Sequence, residues 1–164
     1  MNIFYLAKDA KVCAAYHNDK HVVKMILESA QLLSTAHHII DGEPSIDCYK
    51  ATHKNHPSAI WARESGRNYE WLWCLTKNLC KEYTRRYNKV HKVEESGLLN
   101  RLANRPYELN LGEFTDPPQC MPDKYKVEGD SVQAYRNYYI GDKAGFSKWY
   151  KKEDMKPSWW TEAA

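Results

Sequence analysis

Apolar residues recur at three- and four-residue spacing through two long stretches of the chain, which predicts long helices. The first runs from about Asp19 to Ile40. Nothing between Lys20 and Ile39 breaks a helix, and Gly42 and Pro44 stand just beyond its end. The second opens at Pro57, a residue suited to a first helical position, and stays helical through ARESGRNYEWLWCLTKNLCKEYTRRY, with Gly66 as the place for a kink or a close approach. Ahead of both, the apolar NIFYL (Asn2 to Leu6) predicts at most a vestigial strand, and Asp9 can cap a short helix after it. Past Gly97, LLNRLANRP predicts a short helix. Tyr107 to Asp130 is a Pro-rich connector, and Ser131 is the expected N-cap of a last helix in VQAYRNYYIGDKAGFSKWYKK before the chain reaches PSWW. A structureless segment of that length is uncommon in a compact domain unless it is functional or wrapped over the surface. The expectation is therefore a mainly α protein, one compact helical domain over residues 1–164. Residues 1–90 form its helical core, and residues 97–164 supply the connector and the C-terminal helix.

Composition narrows the class. At 164 residues with 43% apolar residues the chain can bury one core, and its six Trp and twelve Tyr argue against disorder. A net charge of +3 permits a phosphate or nucleic-acid partner without requiring one. Five cysteines, none in C-x-x-C spacing, and an N-terminus without a signal segment predict a reduced, cytoplasmic protein. No apolar run approaches the ~20 residues of a membrane span.

Charge is concentrated on the first long helix. At 100° per residue, His17, Lys20, His21, Lys24, Glu28, Gln31 and Thr35 fall within roughly 100° of one another. Apolar residues occupy the rest of the circumference. A helix so nearly apolar is enclosed by others, and its polar stripe must face a cleft, a ligand or internal partners, because unpaired buried charge is costly. The plainer alternative is a Lys24–Glu28 helix pair worth a few tenths of a kcal/mol, with the histidines at the rim. A metal site is also open: His17 and His21 stand one turn apart, and HKNH adds His53 and His56, although Lys20, Lys24 and Lys54 would repel a cation.

A second cluster, YKATHKNHPSAIW, gathers Tyr49, Lys50, His53, Lys54, Asn55, His56 and Trp61 at the start of the third helix, where backbone N–H groups favour anions. Arg63 and Arg67 follow at i and i+4. The tail KWYKKEDMKPSWW mixes lysines with aromatics, fit either for holding phosphates and bases or for closing the core with Trp159 and Trp160.

Taken in order, DKHVVKMILESAQLL and YKATHKNHPSAIWARESGRNYEWLWCLTKNLCKEYTRRY resemble the pyrimidine-dimer DNA glycosylase superfamily, the endonuclease V-like enzymes. The matching positions are Lys20, Lys24, Glu28 and Gln31, then Tyr49, Lys54, Asn55, His56, Pro57, Ala59 and Trp61, then Tyr69, Cys80, Glu82 and Arg86. The resemblance covers roughly Asn2 to Tyr87, and the whole chain also looks like proteins common in tailed-phage genomes. It implies a DNA glycosylase of the infected bacterial cytoplasm, acting without a cofactor on double-stranded DNA that carries a damaged or modified pyrimidine. The family attacks the sugar C1′ with the N-terminal α-amine, forming an imine that leads to strand scission, while a helix glutamate assists. An α-amine suits this because its pKa near 8 leaves it partly neutral.

By that resemblance Glu28 is the carboxylate and Met1 supplies the amine, since Asn2 is too large to favour removal of Met1. His21 or His17 is the proton carrier. Lys20 and Lys24 are phosphate ligands or, as an alternative, the amine itself. Gln31, Tyr49, Lys54, Asn55, His56, Trp61 and Arg63 complete the substrate contacts. Two readings from other classes stand beside this one: a nucleic-acid or nucleotide-binding protein that has lost the nucleophile, and a metal-dependent hydrolase built on the four histidines.

Overall fold

The computed structural model describes residues 2–149 and 156–160 and contains no strand among them. Its helices are α1 (Ala10–Tyr16), α2 (Asp19–Asp41), α3 (Pro57–Ala62), α4 (Gly66–Tyr87), α5 (Lys92–Glu95), α6 (Leu98–Leu102) and α7 (Ser131–Asp142). The mainly α expectation holds. NIFYL is not a strand: its Ile3, Phe4, Tyr5 and Leu6 have no regular structure, with the Leu6 N–H donating to the Phe4 carbonyl, and all four are buried in the core.

Side-chain caps mark the helix starts. Asp9 accepts from the Val12 N–H, Asn18 from the His21 N–H and Ser65 from the Asn68 N–H. The last helix starts one residue earlier in its cap than expected, since Asp130 accepts from the Gln133 N–H and Ser131 donates instead to the Pro117 carbonyl. It also ends sooner, at Asp142; Tyr150 to Lys152 of the expected helix lie outside the described residues. The predicted third helix is two helices. Arg63 turns out of α3, and Gly66 begins α4 against the connector, donating its N–H to the Asn110 carbonyl. A Cβ at Gly66 would stand 2.7 Å from Arg105 Cδ and 3.0 Å from Leu111 Cα, so glycine is required there for close approach and not for a kink.

The two long helices, α2 and α4, pack antiparallel. The start of α2 meets the end of α4 where Arg86 reaches Asp19, and the end of α2 meets the start of α4 where His37 Nε2 lies 2.9 Å from the Tyr69 hydroxyl. α1 lies along α4, with Trp71 donating to the Lys8 carbonyl and Arg86 to the Ala15 carbonyl. Arg86 is fully enclosed. Its Nε and Nη2 donate to Glu82, Nη2 also to Ala15 O, and Nη1 to His17 O and Asp19 Oδ1, so one guanidinium joins α1, α2 and α4.

Apart from a 3-10 turn at Asp123–Tyr125 and the Gln119 side chain bonded to both backbone groups of Val127, the Pro-rich connector is tied down by long-range bonds. Trp61 Nε1 donates to Thr115 O, Ser65 Oγ to Glu113 O, Tyr5 to Asp116 and Asn2 to Cys120 O, and Tyr135 donates to Pro118 O. The buried apolar cluster draws on residues from Ile3 to Trp160, including Tyr135, Tyr139 and Trp149.

Candidate active site

The first turn of α2 is covered rather than open. Phe4 stacks on His21 with ring centroids 4.3 Å apart, the Tyr139 hydroxyl is hydrogen-bonded to His21 Nδ1 at 2.6 Å, and Phe146 lies against the same ring. His17 is completely buried and donates from Nδ1 to Cys13 O at 2.7 Å. Burial pushes the His17 pKa down from 6.5 to about 4, and burial, helped by the neighbouring His17, Lys143 and Lys24, pushes that of His21 down to about 2. Both rings are therefore neutral parts of the core, and neither faces the open stripe as the sequence pattern suggested.

A stability signature follows. The unfolded chain takes up protons at both rings below about pH 6.5, whereas the folded one does not until far lower, so these histidines stabilise the fold above that pH and cease to do so as it falls. Each contributes a slope of up to about 1.4 kcal/mol per pH unit. Urea midpoints should drop between about pH 7 and about pH 5, and a flat profile there would contradict the burial.

What remains open on α2 is the middle of the stripe. Lys20 and Lys24 are exposed, Gln31 is half-buried, and Glu28 sits among them with its side chain 16% exposed and Oε2 3.9 Å from Lys24 Nζ. Beyond it the stripe closes again, because Thr35 is buried, with its hydroxyl donating to Thr52 O and accepting from Thr52 N. Those two bonds hold the loop carrying Tyr49 to Asn55 beside the helix. Val23, Lys24, Leu27, Glu28, Tyr49, His91 and Lys92 enclose a recess of about 490 Å³ with predominantly apolar walls. A carboxylate thus stands at the edge of a cavity suited to a flat, partly apolar ligand.

The loop brings further chemistry to the same place. Lys50, Lys54 and Asn55 are exposed, and His53 adopts a left-handed backbone at φ 48°, an uncommon conformation for a residue with a side chain. His56 caps α3, its Nδ1 accepting from the Ser58 N–H at 3.0 Å, which leaves the proton on Nε2. Burial lowers its pKa, and the charge of Glu28 acts on it in the opposite sense, so the two groups share one electrostatic neighbourhood. Asn2 reaches the same corner, since Cys120, whose carbonyl it bonds, has its sulfur 3.8 Å from Ser58 Oγ.

Other expected residues lie elsewhere. Trp61 is buried, its indole N–H committed to the connector, so it is a core residue and not a surface contact. Arg63 is half-buried at the end of α3, with Nη1 finding no acceptor among the described residues. Met1 lies outside the described residues. The four histidines do not converge, His17 and His21 being in the core and His53 and His56 at the entrance of α3. Among the described residues no three His, Cys, Asp or Glu side chains gather where they could hold a metal, and no helix is long and apolar enough to cross a membrane. His91 was not foreseen. It caps α5 and forms a wall of the recess, and only its position after a Tyr83–Tyr87 pair hinted at an aromatic border.

Residues 1–95 match the family model described as pyrimidine dimer DNA glycosylase. No curated protein and no solved structure matches the chain.

Proposed function

Because the chain belongs to the pyrimidine dimer DNA glycosylase family, whose substrate is DNA, we propose that it excises a damaged or modified pyrimidine from a duplex and then opens the abasic site, using an amine nucleophile and Glu28. The observation that carries this reading is the placement of Glu28: the one carboxylate of the open stripe, at the edge of the apolar recess and within the field of His56. The amine is assigned to Met1. Its neighbour in the chain, Asn2, is fixed by Cys120 beside the start of α3, in the corner that His56 and Ser58 occupy.

In the reaction the neutral amine attacks the sugar C1′ as the bond to the base breaks, and the base departs with the bonding electrons and takes up a proton. The carboxylate offsets the positive charge that develops on the sugar and accepts the proton shed by the amine. An imine results. Loss of the C2′ proton then expels the 3′ phosphate and cuts the strand. Lys20, Lys24, Lys54 and Asn55 hold the flanking phosphates, which position the duplex without reading its sequence. Tyr49 and the apolar wall receive the face of a base taken out of the stack, a step such enzymes need to reach a buried bond. His17 and His21 have no place in this scheme, since proton transfer needs hydrogen-bond reach to the substrate. Five unpaired cysteines suit a reducing bacterial cytoplasm, here that of an infected host.

The test is an end-labelled panel of duplexes carrying an abasic site, a thymine dimer or an oxidised pyrimidine. The expected result is cleavage of the abasic duplex and of one lesion duplex, which names the substrate. Binding of every duplex with cleavage of none would replace the enzyme by a DNA-binding protein.

A further inference from the structure

The family match ends at residue 95, yet a basic and aromatic surface continues beyond it. Phe146, half-buried after α7, carries two ammonium groups. Lys20 Nζ lies 5.5 Å from its ring centroid and Lys143 Nζ 5.9 Å, so one ring holds a lysine of the open stripe and a lysine of the C-terminal segment together. Lys143 also lies 4.7 Å from the Tyr138 ring. Tyr138 packs 5.5 Å from Tyr125, and Lys124 sits 5.1 Å over Tyr125. Underneath, Tyr138 stacks on Phe4, which ties this row of rings to the core beneath α2.

Among the described residues Lys20, Lys124 and Lys143 have no carboxylate within ion-pair distance. Each of the three has an aspartate as its neighbour in the chain: Asp19 beside Lys20 is engaged by Arg86 at 3.2 Å, Asp123 beside Lys124 by Lys126 at 3.0 Å, and Asp142 beside Lys143 is exposed. Cations left without acids but held over aromatic rings lose little freedom when an anion arrives, and the favourable ring contact stays in place. The charge of Lys143 is felt at His21 together with that of Lys24, so the row begins where the stripe begins. Glu28 is thereby flanked on both sides, by the Tyr49 to Asn55 loop towards the end of α2 and by this row towards its start.

The geometry points to Lys124, Lys143 and Lys20, seated on Tyr125, Tyr138 and Phe146, as a second phosphate-binding flank that carries the DNA backbone on the far side of the reacting nucleotide. The inference rests on the reading of this protein as acting on DNA. It assigns to the segment beyond residue 95 a share of the substrate surface, where the sequence pattern offered a connector and a helix. The occupant is the duplex backbone, because the rings are half-buried and covered by ammonium groups instead of standing free to stack on bases.

The experiment is the salt dependence of binding to an undamaged duplex, followed by fluorescence anisotropy, in wild type and in the double variant Lys124→Ala, Lys143→Ala. The slope of log affinity against log salt should become shallower by about 0.9 for each lysine that meets a phosphate. Arginine at both positions should restore it. Phe146→Ala, which keeps every charge, should lower affinity while leaving the slope as it was. Melting temperatures close to wild type show that the variants fold. A double variant with the wild-type slope, alongside a Lys54→Ala variant with a shallower one, would confine the duplex to the other flank and overturn the inference. No base chemistry enters this measurement, so failure of the glycosylase reading shows separately, as wild-type protein that binds but does not cut.

Discussion

Glu28→Gln is expected to slow base release and strand cleavage by on the order of 10²–10⁴-fold, the range typical of a lost general acid–base group. The substitution preserves shape and removes only charge and basicity, so the recess formed with Leu27, Tyr49 and His91 should persist. The Glu28 pair with Lys24 contributes at most about 1 kcal/mol, since that lysine is 70% exposed. Affinity for DNA should hold or rise slightly, because a negative charge among phosphate-binding lysines has been removed. Single-turnover cleavage and anisotropy on the same preparations check both halves. Near wild-type cleavage would remove Glu28 from the mechanism, and lost binding would make it a structural residue.

Arg86→Ala should produce the largest loss of stability, about 3–5 kcal/mol, as found when one partner of a buried ion pair is deleted. Its side chain is 0% exposed, and its five N–H groups serve Glu82, Asp19 and the carbonyls of Ala15 and His17. Removing the cation leaves Glu82, whose side chain is 5% exposed, and Asp19 in a site built around it. Arg86→Lys should recover only part, since an ammonium cannot span three helices with a planar fork. Urea unfolding midpoints measure this. A loss under about 1 kcal/mol would mean that the corner where α1, α2 and α4 meet holds by apolar packing alone.

Local chemistry was legible in the sequence where it is decided locally. The unbroken Lys20 to Ile39 run, Pro57 at the head of α3 and Asp9 as a cap all concern neighbours within a turn, and each stands in the structure as the spacing predicts. The stripe was legible too, but not its ends. His17 and Thr35 share the angular sector of Glu28, and what separates them is cover along the axis. Cys13 and the core take His17, and Thr52 takes Thr35, partners that periodicity on α2 does not show. Tyr139, more than a hundred residues away, takes His21 in the same manner. Trp61 looked like a surface aromatic because its partner, Thr115 O, is a backbone group of the connector. The break before Gly66 was hidden for a similar reason, since what forces it is the approach of Arg105 and Leu111.

The proposed reaction turns on an amine that becomes bonded to the sugar, and borohydride trapping tests this most directly. Wild-type protein incubated with an abasic-site duplex and reduced should give a covalent adduct, and peptide mapping should place the link at the α-amine of Met1, with Glu28→Gln yielding little. An adduct at Lys20 or Lys24 would keep the imine and move the nucleophile. Bound but untrappable DNA would contradict the claim that this fold acts through an amine.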